Sequence, residues 1–157
     1  MESKLKIRRF QPPDTDQIAQ LFHDTIRSVN LGDYSEKQVK ARAPDDIYSR
    51  DWKEKCSSTY TLVADSNGIV AGFAQLDDDG HIDCFYSHKD FQGQGIGRLL
   101  FEKIESEAQK RNLTRLFLEA SITAKVFFKK IGFAVTKKQT VKIRGAKLIN
   151  YIMEKEL

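Results

Sequence analysis

The sequence predicts an α/β protein in which a mixed sheet carries helices on both faces, and three observations lead there. Apolar or alternating runs of strand length, bounded by proline, glycine or acidic turn residues, recur along the chain. Between them lie stretches with helical spacing, the longest marked by Ile96, Leu99, Leu100, Ile104 and Ala108. The resulting order is strand, helices, three strands, helix, strand, helix and two strands, which buries its apolar faces by laying helices on a sheet.

Residues 4–10 alternate Leu5, Ile7 and Arg9 with charged neighbours, and Pro12 and Pro13 stop the run because proline cannot join a ladder. A first helix follows. Asp14 is placed to accept from an orphan amide, Gln17 takes the capping-box position, and Ile18, Leu21, Phe22, Ile26 and Val29 repeat with helical spacing. Residues 34–56 read as one or two shorter helices around Pro44, anchored by Val39, Ile47 and Trp52. The β-branched run 59–64, the turn at Ser66, Asn67 and Gly68, and the apolar run 69–76 make a hairpin. A polar turn at 77–80 leads to a strand over 81–87, whose period of two puts His81, Asp83, Phe85 and Ser87 on one face. The long helix from Ile96 ends near Arg111 and Asn112, and 115–120 is a short buried strand. A helix over 123–131 closes at Gly132, and 133–143 and 147–153 are two last strands around Arg144 and Gly145.

At 157 residues the chain is expected to form one domain, 1–157, with a core of its own. Hydrophobic residues at 40% and charged residues at 31% are far from compositions that stay disordered. No run approaches the roughly 18 apolar residues a membrane helix needs, and Met1, Glu2, Ser3 and Lys4 open no apolar leader. A cytoplasmic protein without a membrane partner is expected. Cys56 and Cys84 lie far apart, and His23, His81 and His88 show no ligand spacing, so neither disulfide nor metal is expected. The formal charge of +4 suits nucleic acid or any site that holds phosphates, and alone does not choose. Lys137, Lys138, Lys142, Arg144 and Lys147 lack the interleaved aromatics that stack bases, so no nucleic-acid partner is expected.

The segment Gln92, Gly93, Gln94, Gly95, Ile96, Gly97, Arg98 follows a strand and opens into the long helix. Residues without a β-carbon let successive N–H groups point at one anion, and a helix amino terminus adds its dipole. Arg98 adds a formal charge at the rim. A tight connection that binds nothing is the plain alternative. Two other phosphate motifs fail on spacing. The dinucleotide fingerprint needs a last glycine where Leu100 or Arg98 stands, and a Walker A loop needs a Gly-Lys-Ser/Thr run that is absent.

The spacing Gln92-x-x-Gly95-x-Gly97 resembles the acyl-CoA pyrophosphate motif of the GNAT acetyltransferase superfamily. A second block, Ser121-x-x-Ala124-x-x-Phe127-Phe128-x-Lys130-x-Gly132-Phe133, is similar to that family's downstream pattern on the following helix. The resemblance is to small bacterial members of unassigned acceptor. It implies a mostly antiparallel, twisted sheet of six to seven strands and acetyl-CoA as co-substrate. It also implies a small-molecule or protein amine as acceptor, in a monomer or homodimer. Phe85, Tyr86 and Ser87 would lie along the pantetheine arm, residues 92–98 would hold the pyrophosphate, and Ser121, Ala124 and Phe128 would complete the cofactor site.

The attacking amine must lose a proton, since an unperturbed lysine amine has a pKa of about 10.4. By resemblance an acidic base belongs on the strand 81–87, which makes Asp83 and His81 the candidates; both also suit ordinary polar positions after an acidic turn. Phe128 stands where many family members have the tyrosine that protonates the leaving thiolate, so Tyr86, Tyr151, water or no dedicated acid takes that role. The missing tyrosine also keeps open a non-catalytic acetyl-CoA-binding module. The resemblance also implies an acceptor pocket between the early helices and the last two strands, near Phe22, Arg27, Trp52 and Tyr151, residues that do not themselves announce a ligand.

Overall fold

The computed structural model describes residues 5–28 and 33–157; Lys4 and Val29, assigned above to the first strand and first helix, lie outside them. Strand β1 (Leu5–Arg9) leads through a 3-10 turn at Pro12–Asp14 into helix α1 (Thr15–Ser28), and α2 (Glu36–Arg42) and α3 (Trp52–Ser57) follow. Then come β2 (Tyr60–Ser66), β3 (Ile69–Leu76), β4 (Ile82–Ser87), α4 (Ile96–Lys110), β5 (Arg115–Ser121), α5 (Ile122–Lys130), β6 (Ala134–Ile143) and β7 (Ala146–Glu156).

Two residues expected to cap α1 have other partners. Asp14 closes the 3-10 turn by accepting from the Gln11 N–H at 2.8 Å, and its two oxygens accept from the Arg8 guanidinium, each at 2.8 Å. Gln17 accepts from the Val70 N–H at 2.8 Å and donates to Gly68 O at 3.2 Å, which fastens α1 to the β2–β3 turn. Around Pro44 both short helices form. Ser35 and Gln38 cap α2 reciprocally, and Asp51 accepts from the Glu54 N–H to start α3.

The strands form an antiparallel sheet β1-β2-β3-β4 and a second one ordered β5-β7-β6. Between the two, parallel neighbours β4 and β5 meet at one bridge, His81 with Phe117, where the Phe117 N–H donates to Gly80 O at 3.1 Å. A β-carbon on Gly80 would lie 2.3 Å from Arg115 O, so only glycine lets the chains pass this closely. Beyond that bridge no ladder joins β4 to β5, and the mixed sheet is split along a seam.

Burial on both faces explains the unbroken apolar runs of β2 and β3. Leu62 and Ala64 join Leu100, Ile104, Leu116 and Phe128 in one cluster that includes α4 and α5, whereas Val63 and Phe73 join Ile18, Phe22 and Trp52 of α1 and α3. Helices thus cover both faces, as expected. Cys56 and Cys84 are buried free thiols in the second cluster. Among the described residues no helix is long and apolar enough to cross a membrane.

The strict alternation expected over 81–87 does not hold. Ala74 pairs with Phe85 but Leu76 with Ile82, so β4 carries one extra residue opposite Gln75. Ile82 and Phe85 pack with the α4–α5 cluster, Cys84 and Tyr86 with the α1–α3 cluster, and Asp83 turns to the ammonium of Lys55 on α3. The bulge therefore separates Asp83 from the face that Phe85 occupies.

Candidate active site

A cavity of about 330 Å³ occupies the seam, bounded by α2, β4, β5, α5 and the β6–β7 hairpin. The His88 N–H donates to Ala71 O at 2.7 Å, which fixes the antiparallel alternation on β4. Tyr86 directs its main-chain groups to Phe73 on β3, while Phe85 and Ser87 turn theirs to the seam. There Ser87 O already accepts from Thr25 Oγ1 at 2.9 Å and Gln92 Nε2 at 2.8 Å. The Phe85 main chain faces no strand. Of the three residues expected along this edge, Phe85 and Ser87 present backbone and Tyr86 presents its side chain.

At one end of the seam stands the glycine turn. Gly93 and Gly95 sit at φ 77° and 79°, and no atom lies within 4 Å of where their β-carbons would be. The turn is open and left-handed, as an anion cradle requires. Gly95 is the N-cap of α4, and Leu99 supplies the first main-chain bond back to it at 3.2 Å. The amides of Ile96, Gly97 and Arg98 thereby form an unpaired first turn with the positive end of the helix dipole. Gln92 ties this turn to β4 through Ser87 O, and Gln94 Nε2 lies 3.5 Å from Asp90 O. Gly97 has a different reason: a β-carbon there would meet Phe127 at 3.1 Å, so its small size serves the packing of α4 on α5.

The opposite wall is α5. Ser121 caps it by accepting from the Ala124 N–H at 3.0 Å, which leaves the hydroxyl proton for another partner. Tyr34 donates to Ile149 O and accepts from the Ile122 N–H, both at 2.7 Å, and so pins the start of α5 to β7. Phe128 is 3% exposed and packs edge-on against Phe85 and Phe133, with ring centroids 5.2 and 5.4 Å away. Ser121, Ala124 and Phe128 all line the cavity.

Three polar groups gather at the seam. His81 Nε2 meets Glu119 Oε2 at 2.5 Å across the two sheets, and Nδ1 meets Asp77 Oδ2 at 3.1 Å. Burial opposes charge on this imidazole, but the bonds to Glu119 and then Asp77 outweigh it and raise its pKa. Burial likewise works against the Asp83 carboxylate, yet the Lys55 partner holds its pKa below the usual value. Tyr86 Oη accepts from Arg42 Nη2 at 3.1 Å, which leaves the phenolic proton free to donate.

Of the candidates, the structure places His81, Asp83, Phe85, Tyr86, Ser121, Ala124 and Phe128 on the cavity wall. It does not bring Ser87, residues 92–98 or Tyr151 onto that wall: the glycine turn lies beyond the lining, and the neighbouring Asn150 lines the cavity while the Tyr151 ring lies 4.1 Å from Lys125 Nζ. Phe22 and Trp52 are buried core, and Arg27 holds Ala43 O and Asp45. Sequence reasoning missed Glu119, Arg42, Tyr34 and Asn150. The capping box at Ser35 and Gln38 places Arg42 in the last turn of α2, the one signal that points to any of them.

Residues 30–155 match the family described as the acetyltransferase (GNAT) domain. The chain is 32% identical over 152 residues to the uncharacterized N-acetyltransferase YafP of Escherichia coli K12, covering 96% of this chain and 95% of that protein. A GCN5-related N-acetyltransferase structure from Rhodopseudomonas palustris superposes with a TM-score of 0.91 at 34% identity, covering 100% of this chain and 99% of that one. The PaiA N-acetyltransferase of Thermoplasma acidophilum, solved in complex with coenzyme A, shares the fold at a TM-score of 0.80 and 17% identity, covering 98% of this chain and 99% of that one.

Proposed function

Since the chain belongs to the GNAT acetyltransferase family, we propose that it transfers the acetyl group of acetyl-CoA to a primary amine by direct attack in a ternary complex at the seam. One observation carries this reading: an open glycine turn at the amino terminus of α4 adjoins a strand whose Phe85 main chain lacks a partner. The unpaired amides of residues 96–98 and the bends at Gly93 and Gly95 suit a diphosphate. Backbone groups of Phe85 and Ser87 suit the amides of a pantetheine arm lying in the gap like an added strand. The Phe85 N–H is also placed to meet negative charge that develops on the thioester oxygen.

Proton traffic follows from the polar groups. Both His81 ring nitrogens are engaged by carboxylates, which favours its charged form, and in this scheme it positions Glu119 instead of serving as the base. Glu119 lines the cavity and receives the amine proton in this scheme, directly or through one water. Asp83, tied to Lys55 as Glu119 is to His81, is the second candidate for that base. Tyr86, on the cavity wall, returns a proton to the departing thiolate in this scheme, a role that Phe128 lacks the hydroxyl to fill and for which Tyr151, off that wall, is less well supported.

Titration calorimetry with coenzyme A and acetyl-CoA, followed by thiol release with a panel of amines, tests the proposal. Binding together with amine-dependent thiol release is the expected result. Binding without release from any amine would leave a cofactor-binding module, and absence of binding would remove the reading altogether.

A further inference from the structure

At the cavity, two guanidiniums among the described residues have no carboxylate in ion-pair contact. Among the described residues, Arg8, Arg27, Arg111 and Arg115 pair with carboxylates. Of those that do not, Arg9, Arg98 and Arg144 are exposed, whereas Arg42 and Arg50 are partly buried. Both press on one ring. The Arg42 guanidinium lies 5.4 Å and the Arg50 guanidinium 4.8 Å from the centroid of Phe22. Burial and the nearby charge of Arg42 lower the Arg50 pKa, a sign of like charges held together out of water. Asp83 acts on both only through space, since its own ion pair is with Lys55.

Arg42 lines the cavity and spends one of its five N–H donors on Tyr86 Oη. A planar fork with donors to spare beside a second guanidinium is matched by a carboxylate, which accepts two parallel bonds. A second orphan sits on β7. Asn150 lines the same cavity, and its Oδ1 is buried without a hydrogen-bond partner. A buried amide oxygen of this kind calls for an N–H from whatever enters.

We infer that the acceptor is a small amino carboxylate, held through its carboxylate by Arg42 with Arg50 behind it, and through an N–H by Asn150 Oδ1. This rests on the seam being the acetyl-transfer site. It narrows the acceptor to amines that carry their own negative charge, and it disfavours polyamines, whose cations the two arginines repel.

The test is thiol release from acetyl-CoA by unmodified protein with α-, β- and γ-amino carboxylates, each beside its own carboxamide. The α-carboxamides have less basic amines, with more free base at neutral pH, so a preference for the acid cannot come from nucleophilicity. The expected kcat/KM favours the acid by about 100-fold, the usual scale for a lost partner of a desolvated charge. Arg42→Gln should bring the acid down to its carboxamide, and Arg42→Lys should recover part of the gap, while calorimetry shows coenzyme A still bound. Carboxamides or polyamines used as well as the acids would overturn the inference and leave acetyl transfer standing. A preference for the acid that survives Arg42→Gln would also overturn it. Coenzyme A binding with no thiol release from any amine would remove the transfer reading, and this inference with it.

Discussion

Substituting Gly95 separates the cost of a strained backbone from the loss of an anion site, because the chain supplies its own control. Gly95 and Gly68 have similar backbones, φ 79° and 89°, and a β-carbon on either would meet nothing within 4 Å. An L-residue in the left-handed region costs about 1–2 kcal/mol, so Gly95→Ala and Gly68→Ala should each lower stability by that amount. For a chain of this length each kcal/mol is worth roughly 2–4 °C in Tm. The melting points should therefore fall together. Affinity for coenzyme A should not, since only at Gly95 does the new methyl enter the space assigned to the diphosphate. Loss of one charge-assisted N–H bond is worth about 1.5–3 kcal/mol, roughly a 10- to 150-fold rise in Kd. Scanning calorimetry and isothermal titration on both variants provide the two readouts. Equal affinity in both variants, or equal weakening in both, would refute the assignment of the turn.

Other perturbations have equally definite outcomes. Folding raises the His81 pKa, so the stabilisation from its Glu119 and Asp77 bonds is fully present below about pH 6.5, the unfolded value, and fades as pH rises through the higher folded value. Because Glu119 is 44% exposed, the pair is worth at most about 1 kcal/mol. Thermal melts of His81→Gln against the parent should thus differ by a few degrees at pH 5.5 and converge above neutrality; a gap that widens with pH contradicts the charged pair. Burial pushes the thiols of Cys56 and Cys84 up to about 11 and about 12. Iodoacetamide at pH 8 should label neither in the folded protein and both in denaturant, read by mass spectrometry. Tyr86→Phe should lower kcat by about 10- to 100-fold with little change in coenzyme A affinity, and an unchanged kcat would exclude Tyr86 as the thiolate's proton donor.

What the sequence made legible is what local geometry determines. The turn at residues 92–98 announces itself because glycine content, the preceding strand and the apolar spacing of α4 follow one another directly along the chain. Ser121, Ala124 and Phe128 sit on or at the start of one short helix, and the second motif captured them. The β4 bulge was invisible because an extra residue shows only against its partner, and the partner is Gln75. That buried glutamine in an otherwise apolar strand was the available hint, 0% exposed and bonded to Thr61. Glu119 escaped notice because its partner His81 lies 38 positions away on another strand. Arg42 reads as the basic last turn of a surface helix until α2 docks on β7, where Gln38 donates to Lys147 O at 2.7 Å.

The seam explains why one part of this fold holds both the unpaired backbone and the chemistry. The final hairpin places β7 beside β5, so β5 gains a partner on that side while β4 keeps an empty edge facing it. A bare edge inside a protein leaves backbone groups unsatisfied unless something pairs with them. Thr25 and Gln92 satisfy Ser87 O from the side, and the Phe85 main chain remains. An extended molecule rich in amides that binds there completes the sheet, so its binding free energy adds to the folding free energy by mass action. Across the seam the two sheets meet at the Phe117 N–H to Gly80 O bond, at His81–Glu119, and where Phe85 packs on Phe128 of α5. A cofactor that bridges β4 to α5 should therefore stiffen the joint between the two sheets more than it stiffens either sheet.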